Sequence, residues 1–250
     1  MKTNISFQSL TAALLVALTV SSNTVRSAVP SGPPVFTNPL AITNAYQPFQ
    51  PGGIKVFTGV DGEKKTAVVD SYLTETRSFS WNGATVTCHI LRETIFESGG
   101  LLEIADNYFA QADDGTVYYF GEVVDNYEGG VVANHNGSWL VGGPTLPGDP
   151  ADTAIATTPA VFMPANPELG DIFKPEDLFP IVDETAKVVS VGERLRFGGQ
   201  RFRDAIVLKE TTRLSTAKEK KWYAPGVGVV METSKGELLR LVASTLVRMP

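Results

Sequence analysis

A single cysteine stands among the 250 residues, so no disulfide can form within the chain and no thiolate-rich zinc or iron–sulfur site can be built. Two histidines leave few routes to an imidazole-ligated metal. Basic side chains are outnumbered, 21 Lys and Arg against 27 Asp and Glu. A formal charge of −6 provides no concentrated positive surface for phosphates, which excludes nucleic acid as a partner. Long apolar runs are scarce, and past residue 27 none approaches the roughly 20 residues that a membrane-spanning helix needs. No stretch sustains a 3.6-residue apolar period, so little helix is expected. No G-x-S-x-G elbow is present, and Gly226-Val227-Gly228 follows a proline and precedes a strand pattern where a phosphate loop would open a helix.

What is present is an apolar chain, 43% hydrophobic, large enough for one sizeable core. Lys2, the uncharged run from Leu10 to Val20 and the small residues after it read as a secretory signal peptide over residues 1–27. Val25-Arg26-Ser27 before Ala28 supplies the cleavage site, and no cysteine follows to carry a lipid anchor. Cleavage removes two basic residues, Lys2 and Arg26, and makes the remaining chain more acidic. Export to the periplasm or the medium is therefore expected, as a soluble chain without a transmembrane segment.

Residues 28–53 are rich in Pro, Asn and Gly and read as an extended lead-in to a single β-domain over 54–250. From Ile54 onward, β-branched and aromatic runs alternate with turn pairs: Asp61-Gly62, Asn82-Gly83, Gly99-Gly100, Asp114-Gly115 and Gly129-Gly130. Residues 142–160 form a long loop, and one short helix is expected around Pro175–Leu178. Strands resume from about Lys187 to Leu246. The fold class that follows is all-β, an antiparallel meander forming a barrel or a strongly curved sheet.

Two-residue turns at 99–100 and 114–115 set a register in which Glu93 opposes Asp106, and Arg92 opposes Asn107, which opposes Glu122. This predicts a polar row Arg92–Asn107–Glu122 beside Phe109 and Phe120, with Gln111 paired to Tyr118 and Glu103 on the same face. The turn at 129–130 places Trp139 beside Phe120. Charged and amide groups sharing a face with aromatics suggest polar side chains projecting into a partly enclosed interior. Arg92, Glu103, Asn107, Gln111, Tyr118 and Glu122 are the candidate ligand-binding residues.

Several further motifs run through the chain: Asn38-Pro39-Leu40, Phe49-Gln50-Pro51-Gly52, Tyr108-Phe109-Ala110-Gln111 with Asp114-Gly115, Tyr118-Tyr119-Phe120-Gly121-Glu122, Met163-Pro164-Ala165-Asn166-Pro167 with Gly170-Asp171, and Trp222-Tyr223-Ala224-Pro225-Gly226-Val227-Gly228. With them the chain resembles a family of bacterial exported, β-rich proteins, often lipoproteins, that has no assigned activity. In that family the positions of Arg92, Glu103 and Glu122 carry the same residues, the position of Asn107 carries an Asp, and acids stand at the positions of Asp171, Glu176 and Glu184. The resemblance names no reaction.

Cys88 alternates with Val86 and Ile90 and reads as a core side chain, since neighbouring His89 points to the other face. No cofactor is expected. Asp113, Asp114, Asp171, Glu176, Asp177, Asp183 and Glu184 offer oxygen ligands of the kind that suit Ca²⁺ or Mg²⁺, but in no EF-hand spacing. Two functions remain open: a small ligand, lipid or partner bound in a partly polar cavity, or a carboxylate-based hydrolase or lyase with Arg92, Glu103 and Glu122 at its centre. N-terminal sequencing of the exported protein is expected to read Ala28-Val29-Pro30; an exported chain that still begins at Met1 refutes the cleavage.

Overall fold

The computed structural model describes residues 29–246; the segment read as a signal peptide lies outside the described residues. Within them every regular element is a strand. The first meander comprises β1 (Ile54–Asp61), β2 (Lys64–Trp81), β3 (Ala84–Glu97), β4 (Gly100–Gln111) and β5 (Val117–Glu128). Four short strands follow: β6 (Val131–Asn134), β7 (Trp139–Val141), β8 (Ala154–Ala156) and β9 (Ala160–Met163). A second meander then runs through β10 (Ile172–Leu178), β11 (Val182–Phe197), β12 (Gln200–Thr211), β13 (Lys218–Ala224), β14 (Gly228–Ser234) and β15 (Glu237–Ser244). Antiparallel pairing of β1 with β15, from Lys55 opposite Ser244 to Asp61 opposite Glu237, joins the two meanders into one sheet. Its far ends approach each other, since β9 pairs with β5 and Trp139, Val161 and Phe173 of β7, β9 and β10 line one small cavity. The result is an all-β, nearly closed barrel.

Turn chemistry sets most of this. Asn82-Gly83 joins Trp81 to its partner Ala84 with both central residues at positive φ, the geometry whose twist matches antiparallel strands. The β3–β4 turn departs from the sequence reading. Ser98 and Gly99 form it, at φ 50° and 88°, and Glu97 pairs with Gly100. A bulge at Leu102 then leaves Arg92 opposite Asp106, Glu93 opposite Ala105 and Leu91 opposite Asn107. The expected Arg92–Asn107 pair is thus corrected by one residue, which flips Arg92 to the other face. Between β4 and β5 the loop is longer than two residues and a bulge at Phe120-Gly121, opposite Tyr108, absorbs the difference. Asn107 does oppose Glu122, while Gln111 opposes Val117 and Tyr118 opposes Ala110. Trp139 faces Glu122 rather than Phe120. The helix expected around Pro175–Leu178 is also corrected: those residues belong to β10, an edge strand, where a proline removes no ladder hydrogen bond.

Residues 29–53 carry no strand and strap across one end of the barrel. Gln111 Oε1 accepts the Thr43 and Asn44 N–H groups at 2.8 and 2.9 Å, and Asn44 Nδ2 donates to the Gly115 and Pro164 carbonyls. Farther along, Tyr46 donates to the Asp204 carbonyl and the Gly226 N–H donates to Ala45, so the strap ties the first meander to the second. The outer face of β2–β5 is covered by an aromatic core of Phe36, Phe79, Tyr108, Tyr118 and Phe120. The 142–160 segment is pinned there by a buried bidentate pair, Arg77 to Asp149 at 2.7 and 2.8 Å. Cys88 is fully buried in this core, and burial pushes its thiol well up, out of reactive range.

Gly121 precedes Glu122 at φ 119°, and a Cβ there would come within 2.1 Å of the Trp139 carbonyl oxygen. Gly121→Ala is expected to cost about 2 kcal/mol or more in denaturant unfolding, by combining a left-handed backbone with a forced separation of β5 from β7. A loss under about 0.5 kcal/mol contradicts that close approach.

Candidate functional site

The barrel interior holds a cavity of about 390 Å³. The strands that line it contribute by alternation. On β2, Thr66, Val68, Asp70 and Tyr72 are the buried positions, so an acid stands in phase with the apolar ones. Glu93 lies between Leu91 and Ile95 on β3, and the small Ala105 opposite leaves it room. From β4 and β5 come Asn107, Phe109, Tyr119 and Glu122; from β10 and β11 come Glu176 and Glu184. β13 supplies Glu219, Lys221 and Tyr223, and β14 supplies Glu232. Gln47 of the strap reaches in as well. Eight carboxyl side chains and two lysines line the space, and the lining contains no Ser, Cys or His among the described residues.

The two lysines are committed. Lys55 is fully enclosed and lies 3.1 Å from Asp70 Oδ2. Lys221 Nζ is 2.8 Å from Glu210, 3.9 Å from Glu184 and 4.0 Å from Glu219. Burial opposes its charge, but the surrounding carboxylates outweigh burial and hold the ammonium ionised. Glu184, Glu210 and Glu219 also form a carboxylate trio, with ligand atoms within 4.8 Å of one another, of the kind that could hold a metal. The Lys221 ammonium already supplies the positive charge that such a trio needs, so a divalent ion there would meet a like charge.

The other carboxyls have no such partner. Glu93 is pushed up to about 8, first by burial and then by Asp70 and Glu103, despite the lysines. Burial, then neighbouring Glu176, pushes Glu122 well up. Glu176 is raised too, chiefly by burial, and faces Glu122 across the barrel seam. Burial raises Glu232. Tyr119 donates its hydroxyl to Asn107 Oδ1 beside Glu122. Asp70 Oδ1 is buried with no hydrogen-bond partner, although the whole residue is only 5% exposed.

A second space of about 440 Å³ shares Glu176, Glu184, Glu219 and Lys221 with the first and continues to the loop around Thr212, Leu214 and Ala217. The barrel therefore opens at the β12–β13 end, opposite the end crossed by the strap at Gly226.

The six residues picked out from sequence are divided by this geometry. Asn107 and Glu122 line the cavity, and Glu103 stands on the same face beside Ile95 and Asn126, where its charge acts on both Glu93 and Glu122. Arg92 lies on the outer face and forms a bidentate pair with Asp106 at 2.7 and 2.8 Å. Gln111 fastens the strap, and Tyr118 packs edge-on against Phe36 at 5.6 Å. The arrangement of Arg92, Glu103 and Glu122 around one centre is therefore corrected, because the register shift turns Arg92 outward. Of the loop acids considered as cation ligands, Asp183 is taken by Arg213 and Lys174, Asp113 by Thr37, and Asp171 by the Glu168 N–H.

Sequence reasoning missed Asp70, Glu210, Glu219, Lys221 and Glu232, and it paired Glu93 with Asp106 on the face away from Glu122, where the register sets it opposite Ala105 in the cavity. Their signal was present as charged side chains two residues from buried apolar ones on one strand, as in Val68-x-Asp70-x-Tyr72 and Ile206-x-Leu208-x-Glu210.

Comparison with family models and with curated proteins gives no match. Among solved structures the chain is similar to a candidate exported protein with a YmcC-like fold from Bacteroides fragilis, at 12% identity over 81% of this chain and 99% of that one, with a TM-score of 0.41. Among the described residues no helix is long and apolar enough to cross a membrane.

These carboxyls give stability a definite pH dependence. Glu93 and Glu210 are each raised from 4.5 to about 8, so the folded protein keeps protons that the unfolded chain releases. Their stabilising contribution is full below about 4.5 and is lost as pH rises to about 8, by up to about 1.4 kcal/mol per pH unit for each group. Asp149 and Asp183, lowered by Arg77 and Arg213, act in the opposite sense but only in acid. The Tm of the empty protein is expected to fall between about pH 5 and about pH 8, with a shallower fall in Glu210→Gln. A Tm that is level or rises over that range contradicts the protonated interior.

Proposed function

We propose that the protein is an exported binding protein that takes a small polar molecule into the barrel through the mouth near Leu214. The observation that carries this reading is the enclosed cavity of about 390 Å³, in which carboxyl groups converge between the aromatic walls of Phe57, Phe109, Tyr119 and Phe162. A mostly preformed space with a few convergent polar groups is the usual form of a small-molecule site. Export rests on the sequence of residues 1–27. A carboxylate hydrolase is less well supported. Glu122 and Glu176 stand close enough to act directly on each other's protonation, whereas a pair that flanks a scissile glycosidic bond keeps about 5 Å or more between its carboxyls. The outward position of Arg92 also removes the cation expected beside them.

Native mass spectrometry of the protein recovered from its own host is expected to show one small molecule retained per chain. Glu122→Ala is expected to lower that retention about tenfold or more, the scale of one lost charged contact. Equal retention by a folded Glu122→Ala protein removes Glu122 from the site.

A further inference from the structure

The cavity combines three properties. It is strongly acidic, its two cations are already paired, and its walls are partly aromatic. An anion would meet carboxyls on every side. A divalent metal would find its best ligand trio filled by the Lys221 ammonium. Asp70 Oδ1, beside Glu93, lies buried without a hydrogen-bond partner while Lys55 meets the other oxygen, so it calls for a donor, which a charged ammonium supplies more strongly than a neutral molecule. What remains is an organic cation, and the placement of the carboxyls says which kind. Asp70 and Glu93 are directly opposed on β2 and β3, in the middle of the barrel. Glu122 and Glu176 stand apart from them at the seam between β5 and β10. Glu219 and Glu237 lie toward the mouth, where the β14–β15 turn closes at Ser234 and Glu237. Separate acidic stations with aromatic surface between them fit positive charges spaced along an apolar stem.

We propose that the ligand is an aliphatic di- or polyamine, whose ammonium groups meet Asp70 with Glu93 and Glu122 with Glu176 while its methylene stem lies against Phe109, Tyr119 and Phe162. This rests on the binding function proposed above and names the chemical class of its ligand. The protonation of the interior gives uptake a signature. Around Glu93 stand Asp70, Glu103, Glu232, Lys55 and Lys221; around Glu122 stand Glu176, Glu103, Glu93 and the Tyr119 hydroxyl. With acids predominating in both groups, the empty cavity favours protons on Glu93 and Glu122. An arriving ammonium favours the carboxylate form, and each carboxyl that ionises releases its proton to solvent. Binding therefore tightens as pH rises toward about 8.

Calorimetric titration of the exported protein with spermidine and with cadaverine tests this, with glucose and calcium chloride as the neutral and metal probes. Support consists of one-to-one amine binding that tightens between about pH 5 and about pH 8, releases protons, and weakens as ionic strength rises. Glu93→Gln, which keeps the shape of the side chain, is expected to weaken spermidine about tenfold or more. The salt dependence of the unaltered protein stands independently of how that variant folds. Amine binding insensitive to both salt and pH, or calcium that displaces spermidine at equal concentration, overturns the assignment. If no amine binds at about 10 mM while another class of small molecule is retained, the amine proposal fails and the binding function stands. If neither amines nor any retained molecule is found, both fail.

Discussion

The structure is organised around an imbalance of charge that the sheet encloses instead of exposing. Eight carboxyl groups share one cavity with two ammonium groups. Lys221 does most to make this tolerable: at 2.8 Å from Glu210, with Glu184 and Glu219 at about 4 Å, it neutralises the wall formed by β11, β12 and β13. Lys55 does the same for Asp70 on the opposite wall. Protons do the rest: Glu93 and Glu122 are raised by burial and by neighbouring acids, and burial raises Glu210 as well despite its lysine. A buried ion pair of this kind contributes little net stability, because desolvation offsets the attraction. Such groups are costly for a core and useful for a site.

The barrel that encloses them depends on two joins. One is the β1–β15 ladder, which turns two meanders into one sheet, with Lys55 of β1 opposite Asp70 of β2. The other is the strap, whose polar groups are satisfied at each step: Asn44 and Gln111 fasten it to the first meander, and Tyr46 and Ala45 to the second. Because Gln47 lines the cavity, the strap is part of the site as well as its closure.

The all-β architecture was legible because it is written in local chemistry. Turn pairs such as Asn82-Gly83 and Gly129-Gly130 fix hairpins without reference to anything distant. Inter-strand register was not legible, because the turn at Ser98-Gly99 in place of Gly99-Gly100 shifts the pairing by two residues and the bulge at Leu102 takes one of them back. That sum decided that Arg92 faces outward and Glu93 inward. Asn107 opposite Glu122 came out as read only because the longer β4–β5 loop and the Phe120-Gly121 bulge cancel. Alternation within a strand is immune to such errors, and it marks Asp70, Glu93 and Glu210 as inward charges more securely than any hairpin count. The contribution of β10 to β14 was hidden for another reason: nothing local in Lys218-Glu219-Lys220-Lys221 tells which lysine meets Glu210 until the β12–β13 register is known.

The strap also bears on the order of events during folding. Its tyrosine hydroxyl at residue 46 meets a carbonyl 158 residues farther along the chain, and its backbone docks at Gly226. Contacts of such long separation form late, since their chain entropy is lost before the contact stabilises anything. The first segment to be synthesised beyond residue 28 must therefore wait for nearly the last strands before it finds its place. The closed end of the cavity is, with the β1–β15 ladder, among the last parts of the protein to assemble, although its residues come first in the sequence.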